Sequence, residues 1–155
     1  MSTVVAKERA CRVLIIEDDE DDVFLIERAL DSTRDIVQRD IEYEHVEDGL
    51  NAMFHVSKLD LAETLPDVLI LDLNMPRVSG IRFLQWLRKS LLLKDLPVFV
   101  LTTSAVPLIH EEAIRAGANG VFTKPDDSDA LRVIATEIIA ATTNWRPNGR
   151  VSSPR

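Results

Sequence analysis

Cysteine occurs once in 155 residues, at Cys11, so no internal disulfide can form and a reducing cytosol is the natural compartment. Ahead of a strand, Cys11 reads as a small apolar residue. No apolar stretch reaches the length of a membrane span. Met1 to Ala10 contains Lys7, Glu8 and Arg9 and lacks the apolar core of a secretory signal. These absences predict a cytoplasmic protein with no membrane partner. Basic clusters are missing as well. A net charge of −8 argues against nucleic-acid binding, because phosphate contacts need gathered Lys and Arg. There is no glycine-rich phosphate loop, which argues against nucleotide use. His110-Glu111-Glu112 has no second His at the spacing of a zinc helix, and His45 and His55 have no Cys or His partners in a ligand pattern.

What is present is a set of four apolar runs, each ending on a polar residue of a different kind. Val13 to Ile16 stops at Glu17-Asp18, Val68 to Leu71 at Asp72, Val98 to Leu101 at Thr102, and Gly120 to Thr123 at Lys124-Pro125. Short continuous apolar runs read as strands buried on both faces, the habit of a parallel sheet. Helical stripes alternate with them: Val23, Ile26 and Leu30; Gly80, Phe83, Leu84 and Leu87; Ile109, Ala113 and Ala116; Leu131, Ile134, Ala135 and Ile138. Ile41 to Val46 alternates apolar and polar, which marks an edge strand with one wet face. Asp31 to Asp40 reads as a turn-rich connection, and Gly117 as the stop of the fourth helix. The pattern predicts an α/β fold, a doubly wound five-stranded parallel sheet of flavodoxin-like order 2-1-3-4-5 with helices on both faces. The expected divisions are an extension over 1–10, one domain over 11–144, and a flexible tail over 145–155 whose Trp145 either caps the core or anchors a partner. Trp86 should be partly exposed or packed at a contact.

In such a sheet the ligand crevice opens outside the carboxyl ends of the strands, where the chain reverses direction. Glu17, Asp18, Asp72, Thr102 and Lys124 would converge there. Singly, Asp72 reads as a turn former, Thr102 as a β-branched strand residue and Lys124 as a solvated loop lysine. Their joint placement at separate strand ends is what points to a site. Mg²⁺ takes oxygen ligands from one or two carboxylates and a phosphate and keeps several waters. Asp18 and Asp72 suit direct ligation, Glu17 ligation through water, and the Asn74 backbone carbonyl is a further candidate. Asp72 is the expected nucleophile toward phosphorus, with Lys124 and Mg²⁺ clamping the transferred oxygens and Thr102 donating its hydroxyl. Asp21 and Asp22 read as helix-start acids favoured by the macrodipole.

The motifs Ile15-Ile16-Glu17-Asp18, Asp72-Leu73-Asn74-Met75-Pro76, Leu101-Thr102-Thr103, Gly117-Ala118-Asn119-Gly120 and Thr123-Lys124-Pro125 resemble those of response-regulator receiver domains of two-component signalling, from about Arg12 to Asn144. The resemblance implies that Asp72 accepts a phosphoryl group from a histidine kinase's phosphohistidine. It implies that Glu17, Asp18, Asp72 and the Asn74 carbonyl hold Mg²⁺, that Thr102 is the switch hydroxyl, and that Lys124 binds the phosphate. The Lys124–Pro125 peptide is cis in that family. Val121 stands where many members carry an aromatic that swings inward, and Phe122 should face the other way. The run Glu17 to Arg28 is similar to single-domain regulators serving phytochrome-type histidine kinases, which tend to be dimers. The expectation is therefore a homodimeric phosphoprotein, not an enzyme on other substrates, with no DNA-binding domain after the fifth helix, passing its signal to a downstream phosphorelay or effector protein. A receiver that binds partners without phosphorylation is one alternative. A phosphatase forming an aspartyl phosphate is another, but Asn74 stands where it would need a second carboxylate.

Overall fold

The computed structural model describes residues 9–90 and 93–143, so most of the expected N-terminal extension, Trp145 and the expected tail lie outside the described residues. Strands and helices alternate in the order β1 (Cys11–Ile16), α1 (Glu20–Val37), β2 (Ile41–Val46), α2 (Gly49–Leu61), β3 (Val68–Leu71), α3 (Gly80–Lys89), β4 (Val98–Thr102), α4 (Pro107–Ala116), β5 (Gly120–Thr123) and α5 (Ser128–Thr143). All pairings are parallel and the order is β2-β1-β3-β4-β5, the doubly wound arrangement read from the sequence.

Because successive residues of a strand point to opposite sides, the sheet divides the core in two. Leu14, Ile16, Leu69, Leu71, Val98 and Val100 face Ala52 and Val56 of α2, Phe83, Leu84 and Leu87 of α3, and Ala113 of α4. Val13, Ile15, Val68, Ile70, Phe99 and Leu101 face Ile26 and Leu30 of α1 and Leu131, Ala135, Ile138 and Ile139 of α5. Each Val, Leu, Ile or Phe side chain among them contributes about 1.5–3 kcal/mol when fully buried. Val121 packs with the first cluster and Phe122 with the second, its ring centroid 6.3 Å from that of Phe99. Trp86 is half-buried, 5.7 Å from the Phe83 ring. The edge position of β2 holds, with Glu42 and Glu44 exposed. Charges there discourage pairing with another chain.

Two expectations are corrected. Asp31 to Val37 continues α1 rather than forming turns. Thr33 is buried and extends the stripe of Ile26 and Leu30, Ser32 and Thr33 return their hydroxyls to carbonyls of the same helix, and Arg34 pairs with Asp31. Turn-prone side chains are thus held in helix by packing onto the second core cluster, and Gln38 closes it in the left-handed conformation. The Lys124–Pro125 peptide is trans, since no cis bond occurs among the described residues. Trans is the form an X–Pro bond favours by about 0.5–1 kcal/mol.

Candidate functional site: an acidic rim with one lysine

Register explains how the site assembles. Ile16 lies beside Leu71, and Leu71 beside Val100, so Glu17 and Asp72 leave neighbouring strands at the same level. Counting along the alternation, Glu17, Asp72 and Lys124 fall in the row that faces α1 and α5. Thr102 falls in the other row, facing α3 and α4, one residue beyond the level of Asp72. Gly80 permits the close return of the β3–α3 loop, because a Cβ there would stand 2.3 Å from the Asp72 carbonyl oxygen.

Glu17, Asp18 and Asp72 each offer a carboxylate oxygen, and these atoms lie within 4.8 Å of one another. Glu17 and Asp72 are buried, whereas Asp18 is exposed. The Lys124 ammonium donates to Glu17 Oε2 at 2.7 Å and to Asp22 Oδ2 at 2.9 Å, and stands 3.7 Å from Asp72 Oδ1. An ammonium has three donors. Two are used, and the Asp72 contact is an ion pair too long for a hydrogen bond. Burial pushes the Glu17 carboxyl up to about 7, with the Asp72 charge adding to the rise and Lys124 opposing it. Burial likewise raises Asp72, against the pull of Lys124 and of the Leu73 and Asn74 backbone N–H groups. Burial works against the Lys124 ammonium, but its hydrogen bonds to Glu17 and Asp22 and the charge of Asp72 raise its pKa. Four carboxylates therefore face one cation, an excess that a divalent ion would relieve. The donor set is all oxygen, as a hard cation such as Mg²⁺ requires.

The structure gathers Glu17, Asp18, Asp72 and Lys124 as expected. Thr102 is fully buried, its carbonyl accepts the Lys124 N–H at 2.6 Å, and its Oγ1 accepts the Ser104 N–H at 3.2 Å. Asn74 is exposed on the β3–α3 loop, two residues after Asp72. Asp22 has a second role beyond the helix start read from the sequence. It does lie in the acidic first turn of α1, but its carboxylate reaches Lys124. Asp19 is the N-cap, accepting from the N–H groups of Asp21 and Asp22. His45 is also tied to the rim, with Nε2 2.7 Å from the Glu17 carbonyl oxygen.

Fold and site together define a flavodoxin-like α/β module with a cluster of three carboxylates, able to hold a cation, at the carboxyl rim of its sheet. The chain matches the response regulator receiver domain family across residues 13–136. It belongs to that family, whose members are signalling modules of two-component systems. It is 35% identical over 128 residues to the uncharacterized transcriptional regulatory protein YrkP of Bacillus subtilis (strain 168), covering 81% of this chain and 49% of that one, so it spans about half the length of that relative. Among solved structures it is similar to the phosphorylated cyanobacterial phytochrome response regulator RcpA, with 25% identity, a TM-score of 0.77, and 93% of this chain and 99% of that chain covered. It is also similar to the Mn²⁺-bound form of response regulator Rcp1, with 26% identity, a TM-score of 0.70, and coverage of 83% and 91%. No helix among the described residues is long and apolar enough to cross a membrane.

Proposed function

We propose that the chain accepts a phosphoryl group on Asp72 from the phosphohistidine of a sensor histidine kinase, in a Mg²⁺-dependent step, and signals through protein contacts. An Asp72 carboxylate oxygen attacks phosphorus, the P–N bond breaks, and its electron pair stays with the departing imidazole, which takes up a proton. Glu17, Asp18, Asp72 and the Asn74 carbonyl would hold Mg²⁺, which would supply charge neutralisation at the transferring group. Lys124 gives its third donor to one of those oxygens, while Glu17 and Asp22 keep the ammonium aimed. The carrying observation is the meeting of three carboxylates within 4.8 Å, with the Lys124 Nζ 3.7 Å from Asp72 Oδ1.

Phosphorylation adds charge and acceptor oxygens at one point. Thr102 then gives its hydroxyl to the phosphoryl group and biases a two-state equilibrium of α4, β5 and α5. A tilt from about 1:99 to 99:1 takes about 5.5 kcal/mol, and each charge-assisted hydrogen bond supplies about 1.5–3 kcal/mol of it. The kinase we infer is of phytochrome type, and the protein acts in the cytoplasm as a homodimer feeding a downstream phosphorelay or effector protein. Likeness to RcpA over 93% of the chain supports that choice.

Incubation with acetyl phosphate and Mg²⁺, followed by intact mass, tests the reading. Wild type should gain one phosphoryl group and Asp72→Asn none, with the fold kept. Equal uptake by the Asn variant would overturn the assignment of Asp72. Size measurement on the same samples tests the dimer.

A further inference from the structure

We propose that His110 is a positioning residue of the phosphoryl switch, clasping the β4–α4 loop to α4 and so holding Thr102 in its resting arrangement; this rests on the phosphoryl-acceptor reading. The Thr102 hydroxyl is fixed by the Ser104 N–H at 3.2 Å, and the Ser104 carbonyl oxygen lies 2.7 Å from His110 Nε2. A carbonyl only accepts, so Nε2 carries the proton. The same nitrogen is 3.4 Å from Thr123 Oγ1 on β5, and Thr123 is the register partner of Thr102. One half-buried ring thus touches the loop after β4 and the end of β5 while riding on α4.

Helix α4 is thinly held elsewhere. Ala113 is its one fully buried residue, and its N-cap, Val106, offers no side-chain hydrogen bond. Its far end is tied by Arg88, which donates to the Gly117 carbonyl at 2.9 Å. Turning Thr102 toward a group on Asp72 must shift or release the Ser104 N–H, and with it the carbonyl that His110 holds. The clasp therefore favours the resting state. A net hydrogen bond shifts such an equilibrium by about fivefold. His110→Ala should accept phosphoryl from acetyl phosphate about fivefold faster. His110→Gln, whose amide nitrogen reaches the place of Nε2, should stay within about twofold of wild type.

Amide hydrogen exchange over residues 104–113, with no phosphodonor, is measured on the three proteins beside their uptake rates. Faster exchange and faster uptake in the Ala variant, both restored by Gln, support the clasp. Unchanged exchange in the Ala variant overturns it whatever the uptake. Faster exchange with unchanged uptake also overturns it, since the ring would then be structural only. No uptake by wild type defeats the acceptor reading itself, and the clasp falls with it.

Discussion

At the amino ends of the strands Arg88 gives its donors to the carbonyls of Gly117, Leu93 and Leu96 and to Asn119 Oδ1, whereas at the carboxyl ends a single Lys124 ammonium is left to serve Glu17, Asp22 and Asp72. Asn119 Oδ1 also accepts the Val98 N–H at 2.8 Å. On the other side of the amino rim, Asp67 takes the Arg12 N–H and the Arg9 guanidinium, and Arg12 reaches the Thr64 carbonyl. Even Gly117, with φ +116°, fits this end, because a Cβ there would meet Arg88 Cγ at 2.5 Å. These polar groups at the amino rim meet partners of opposite polarity within the chain. At the carboxyl rim like charges are crowded and compensation is incomplete. The contrast separates an end built for rigidity from an end built to receive something.

The largest effect should come from Arg88→Ala, which strands several carbonyls and removes packed methylenes, at about 4 kcal/mol of stability. Chemical denaturation would report it; a loss under about 1 kcal/mol would erase the contrast. Lys124→Ala should cost about 3 kcal/mol without metal, because buried carboxylates lose their cation. Mg²⁺ should restore much of that, while uptake at Asp72 stays impaired. Wild-type uptake by this variant would remove Lys124 from the clamp. Next comes the metal itself. Mg²⁺ at ten times its Kd should stabilise wild type by about 1.4 kcal/mol. Asp72→Asn should gain much less, and equal gains would place the ion elsewhere.

The smallest effect concerns a pair beside the rim. Burial pushes the Asp48 carboxyl up, but Arg77 and the N–H groups of Asn51 and Leu50 hold it below the usual carboxylate range. A depressed folded-state value means stability that is present above the unfolded pKa of about 3.9 and lost as pH falls through the folded one. Asp48→Asn keeps the N-cap of α2 but has no such contribution, so the Tm gap between the two proteins should narrow below about pH 4. At pH 7 the two proteins should differ in stability by under about 1 kcal/mol, as suits a pair whose arginine is half exposed.

Much of the carboxyl rim was legible because strands announce their ends. An apolar run that stops at Asp72 or Lys124 fixes both the level and the kind of group at the rim, and the alternating run of β2 fixes the edge and hence the strand order. What escaped detection depends on contacts between residues far apart in the chain. Arg88 looks like any basic residue in the last turn of a helix until Gly117 and Asn119 are brought to it. His110 has no ligand partner in sequence, and its acceptor is a backbone carbonyl, which no side-chain pattern records. Asp31 to Val37 was misread because its residues favour turns locally, and burial of Thr33 outweighs that preference. Asp22 was credited to the helix dipole, a sufficient local reason that concealed a distant one.

The one-residue offset between Asp72 and Thr102 has a geometric outcome. Asp72 belongs to the row shared with α1 and α5, Thr102 to the row shared with α3 and α4. The sheet is a wall with these two groups at its lip, one leaning to each side. A donor approaching over the α1 flank would leave its mark on the opposite flank, so delivery and readout can occupy separate ground on so small a body.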